Sequence, residues 1–71
     1  VIDTTGRHPG TVHIARFFDA DHLSREDMRT VSQACCDLAA DMIGKLDDGA
    51  ELSAGLRKLL EAKDCFVRAV L

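Results

Sequence analysis

The stretch LRKLLEAKDCFVRAVL, residues 56–71, decides the fold. At about 100° per residue, Leu52, Leu56, Leu59, Leu60, Phe66, Val67, Val70 and Leu71 gather on one broad side of a helix, and Lys63 projects from near the middle of it. An ammonium on an apolar face must reach water, an acid or a ligand. Two readings follow. The stem packs while the head snorkels to a nearby carboxylate, or the lysine marks an anion pocket where helices meet.

Outward from this segment, Asp47-Asp48-Gly49 reads as a turn, with Asp48 and Glu51 spaced as a capping box for the second helix. Upstream, Met28, Val31, Cys35, Leu38, Met42 and either Ile43 or Leu46 recur at three and four residues, with Ala34 and Ala39 on the flanks. Ser24 is placed as the N-cap of this first long helix, and Glu26 and Asp27 complement its dipole. So short a connection makes the two helices antiparallel neighbours. Thr11 to Phe18, TVHIARFF, favours a short helix capped by Thr11, and residues 1–10, VIDTTGRHPG, read as a flexible arm.

The expected fold is all-α: an antiparallel helical hairpin over residues 11–71, with helices at about 24–46 and 49–71 and a short N-terminal helix or arm. With 71 residues the core is marginal. The second helix carries apolar residues over an arc wider than one partner covers, so assembly into a homo-oligomer is expected.

Composition excludes several classes. Net charge is −3, against broad binding to DNA or RNA polymers, which needs a basic surface. No apolar run approaches the eighteen or so residues that span a bilayer, and the expectation is a soluble, cytoplasmic protein. Three cysteines, Cys35, Cys36 and Cys65, fit a reduced compartment, the first two as small buried hydrophobes. The histidines lack partners at metal spacing, so no metal is expected, and His22 reads as a turn residue bonded to Asp19 or backbone. There is no glycine-rich phosphate loop, no nucleophile with a base and no acid cluster for magnesium. An enzyme and a cofactor are not expected.

Charge is unevenly spread. From Leu56 to Leu71 four positive side chains, Arg57, Lys58, Lys63 and Arg68, stand against two negative, Glu61 and Asp64. Arg57, Glu61, Asp64 and Arg68 share one polar side, either as solvated pairs or with an arginine aimed across a subunit boundary at a phosphate. Lys58 lies away from that ladder and serves another pocket or solubility. Phe17 and Phe18 read as core or staple residues, with stacking on a nucleobase as the functional option.

Three segments, FDADHL at 18–23, VSQACCDLAADMI at 31–43 and LRKLLEAKDCFVRA at 56–69, resemble the helical-hairpin domain of phage-encoded cyclic-oligonucleotide sponges, the family of anti-CBASS protein two and Thoeris anti-defence protein one. The likeness covers roughly residues 10–70. It implies a non-enzymatic homohexamer that sequesters cyclic dinucleotides, and cyclic trinucleotides in a second, larger-ring pocket, between protomers in the host bacterial cytoplasm, so blocking CBASS-type or Thoeris-type immunity. It further implies Phe18 as base platform, Lys58 and Lys63 as phosphate ligands, and Arg57 or Arg68 in the larger pocket. The alternative expectation is a small helical interaction module that occludes a partner protein and binds no nucleotide.

Overall fold

Pro9 fixes the first turn of a helix and leaves no N–H to satisfy there, while His8 Nδ1 accepts the Gly10 N–H at 2.9 Å. Helix α1 therefore runs Pro9–Ala15, capped by His8 rather than by Thr11. The computed structural model describes residues 2–20 and 23–71, and among these it holds three helices and no strand: α1, then α2 over Glu26–Lys45 and α3 over Ala50–Val70. The expected role of His22 lies outside the described residues.

Both long helices start without a side-chain cap. Arg25 occupies the N-cap of α2 in place of Ser24, and Gly49 that of α3. The capping box expected of Asp48 does not form. Asp48 turns instead to the arm: Oδ1 accepts from Arg7 Nε at 2.9 Å and from the Thr11 hydroxyl at 2.8 Å, and Oδ2 accepts the His8 N–H at 3.0 Å. These donors hold the carboxyl down at about 2, the His8 N–H and the Thr11 hydroxyl contributing most.

The same Arg7 donates to the carbonyl oxygens of Ile43 and Leu46, two of the groups that the last turn of α2 leaves without intrahelical partners. A guanidinium there also complements the negative end of the helix dipole. Just before it, Thr4 O accepts from Arg7 N at 3.0 Å across a turn whose third residue, Gly6, has φ +76°, a conformation glycine adopts without strain. The segment expected to be flexible is thus tied to the α2–α3 turn.

The core joins Ile14, Ala15 and Phe18 of the α1 segment to Cys36, Ala39 and Ile43 of α2 and to Leu52 and Leu56 of α3. The buried face of α2 is Ser32, Cys35, Cys36, Ala39 and Ile43, so Cys35 and Ile43 of the expected stripe are buried, Met28, Val31 and Met42 are half-buried, and Leu38 lies outside. Small residues fill this face because close packing leaves little room for larger side chains, and Ala39 is 0% exposed. Leu38 and Leu46 are each 47% exposed. Together with Met42, Leu52 and Leu59 they line an apolar groove of about 430 Å³. No helix among the described residues is long and apolar enough to cross a membrane.

Candidate functional site

Lys63 lies on α3 two turns beyond Leu56, on the face that Leu52 and Leu56 bury. It is itself only 6% exposed. Among the described residues no carboxylate reaches ion-pair distance of it, and its ammonium makes no hydrogen bond. Among the described residues only Ser32 Oγ is fully buried without a hydrogen bond, so the Lys63 head keeps some contact with water while its stem packs. A cation held in so apolar a setting is costly, and an anion that came to it would recover part of that cost.

Its neighbours sharpen the point. Burial pushes the Cys36 thiol above its ordinary value, an effect eased by Ser32 and by the Lys63 charge and reinforced by Cys35 and Asp19. The thiol therefore sits in the field of Lys63. Ser32 Oγ is fully buried and lacks a hydrogen bond of ordinary geometry, although it comes near enough to Cys36 to ease its ionisation. Lys63 and Ser32 form a polar nest inside an otherwise apolar seam, with donor capacity left over. Ser32 was missed in the sequence. Its signal is the row Ser32, Cys36, Ala39, Ile43, which has helical spacing but reads as small rather than apolar.

Arg57, Lys58 and Arg68 are all exposed. The expected ion-pair ladder does not close: neither Arg57 with Glu61 nor Asp64 with Arg68 forms a pair, and Arg68 instead reaches Cys65 Sγ at 3.4 Å. These cations are uncommitted, as anion ligands should be before binding.

The aromatic assignment moves by one residue. Phe18 is 4% exposed and belongs to the core, whereas Phe17 is 48% exposed. Arg16 lies over the Phe17 ring at 5.6 Å, and His13 meets it edge-on at 5.5 Å. The residue after a helix of 7 residues alternates between faces too abruptly for periodicity to distinguish the pair. Among the described residues no cluster of His, Cys, Asp or Glu is arranged to hold a metal. No protein-family model, curated protein or solved structure matches the chain.

Proposed function

We propose that this chain is a sponge: a non-catalytic, self-assembling helical-hairpin protein that captures cyclic oligonucleotide second messengers in a bacterial cytoplasm and blocks CBASS-type or Thoeris-type immunity. The observation that carries the reading is Lys63, 6% exposed on an apolar helix face and in no ion pair among the described residues. A cyclic dinucleotide presents two phosphates and two base faces. Lys63 supplies a charge-assisted hydrogen bond to a phosphate in a dry setting, where such bonds are strongest. Exposed Lys58, Arg57 and Arg68 add further phosphate contacts, the arginines with the fork geometry suited to a larger ring. Phe17, in place of Phe18, is the stacking platform.

Self-assembly is supported by surface left unburied. The chain exposes 4773 Å², whereas a compact monomer of its mass exposes about 4,300 Å². On α3, Leu52, Leu59 and Phe66 alternate with Gly55, Ala62 and Ala69 at steps of three and four, a heptad seam that lets another helix approach closely. Phe66 is 53% exposed in the single chain. We assign this seam and the adjoining groove to contacts between copies in a homohexamer. The second reading, a module that occludes another protein, draws on the same groove and makes Lys63 structural.

Sequestration requires affinity and no bond-breaking, so the test is recovery of the ligand. Calorimetry against a panel of cyclic di- and trinucleotides, followed by heating and chromatography of what is released, should show binding and chemically intact ligand. Cleaved ligand would replace the sponge by an enzyme, and silence across the panel from an assembled protein would favour the occlusion reading.

A further inference from the structure

A second cavity lies apart from Lys63. A cleft of about 390 Å³ opens between the arm, the α1 exit and α2, with an apolar floor that includes Ala15, Phe18 and Cys36 and a polar rim that includes Arg16, Gln33 and Asp37. Its volume stands at the low end for small-molecule sites. One nucleobase fits, and a whole cyclic dinucleotide does not.

The rim is polar and exposed, and it also carries Asp19. Gln33 Nε2 donates to Asp37 Oδ1 at 2.8 Å, which orients the carboxylate and leaves Oδ2 without a partner. Arg16 makes no ion pair, and its one contact beyond packing is the Phe17 ring. An arginine and an aspartate thus line one cleft without pairing. A ligand that joins them must offer acceptors on one edge and donors on the next, on a flat body that can lie against Ala15 and Phe18. Guanine has that pattern. Its O6 and N7 accept from a guanidinium, while its N1–H and N2–H₂ donate to a carboxylate. Adenine turns an N1 lone pair where guanine has a donor, and a carboxylate repels it.

We propose that this cleft is a guanine pocket that selects which cyclic oligonucleotide the protein captures, Arg16 reading the O6/N7 edge and Asp37 the N1/N2 edge. The assignment rests on the sponge reading and adds base preference to it. Cys36 lies between the two parts of the site: it floors the cleft and feels the Lys63 charge.

The test is calorimetry with cyclic di-GMP and cyclic di-AMP on the wild type, Asp37→Asn and Lys63→Ala. The wild type should prefer cyclic di-GMP by about 10- to 100-fold, the discrimination expected of one good bidentate contact. Asp37→Asn should erase that preference by weakening cyclic di-GMP alone, and Lys63→Ala should weaken both ligands together. Asp37 is exposed, so the variant should keep its thermal melt. If it does not, Gln33→Ala, which frees the carboxylate to rotate, should narrow the preference about threefold. Equal wild-type affinities, or a preference that survives in Asp37→Asn, would overturn the guanine pocket while leaving the sponge intact. No binding of either ligand, nor of any other cyclic oligonucleotide in the panel, would overturn both.

Discussion

The two ends of the α2–α3 pair treat polar groups in opposite ways. At the turn, Arg7, His8 and Thr11 converge on Asp48, and Arg7 also serves the carbonyls of Ile43 and Leu46, so the polar groups gathered there have partners. At the other end, among the described residues, Ser32 Oγ is fully buried without a hydrogen bond and Lys63, 6% exposed, forms no ion pair. Stability needs the first arrangement, and the second opposes it. A chain of 71 residues has little stability to spare. A lysine set in its apolar seam without an ion pair among the described residues is the basis of the proposed sponge reading.

The contrast can be broken most forcefully at Lys63. Lys63→Met keeps the stem and removes the charge, and it should raise stability by about 1–2 kcal/mol while lowering nucleotide affinity by roughly 100-fold or more. Thermal melts and calorimetry on one sample check both. At the latch, Asp48→Ala leaves Arg7, Thr11 and the His8 N–H without their acceptor, and should lower Tm by on the order of 5 °C. Proteolysis should then cut first within residues 2–8.

The latch is also sensitive to acid. Asp48 titrates at about 2 in the fold against an ordinary 3.8. A depressed folded value stabilises above the unfolded one and is lost as pH falls through the folded one. The contribution of Asp48 is thus complete above about pH 4 and fades toward pH 2, and Asp48→Asn should flatten that part of the acid melt. The smallest effects compare two buried hydroxyls. Thr11→Val deletes a satisfied donor and should cost about 1 kcal/mol. Ser32→Ala deletes one without a good partner and should cost less than about 0.5 kcal/mol. Equal costs would erase the distinction between the ends.

Much of the fold was legible where periodicity is strong. The helices expected at about 24–46 and 49–71 appear as Glu26–Lys45 and Ala50–Val70, and the burial of Leu52 and Leu56 with Lys63 between apolar neighbours follows from spacing alone. What the sequence hid is tertiary. Asp48 looked like a local cap because Glu51 stands three residues on, but its partners lie about forty residues upstream, and no spacing rule reaches that far. The face of α2 was legible in part: Cys35 and Ile43 are buried as expected, but hydrophobicity ranks Leu38 above Ala39 and Ser32, whereas close packing ranks them the other way. Phe17 and Phe18 differ only in which side of a chain reversal they occupy, which local pattern does not settle.

The central claim is that the cation in the seam exists for a phosphate. The most direct measurement is calorimetric titration of cyclic dinucleotides into wild type and Lys63→Met at matched assembly state, with Tm taken on the same samples. The account predicts tight binding by wild type, its loss in Lys63→Met, and a higher Tm for that variant. Equal binding by both proteins, or a lower Tm for Lys63→Met with no wild-type binding, would make Lys63 a structural residue and contradict the account.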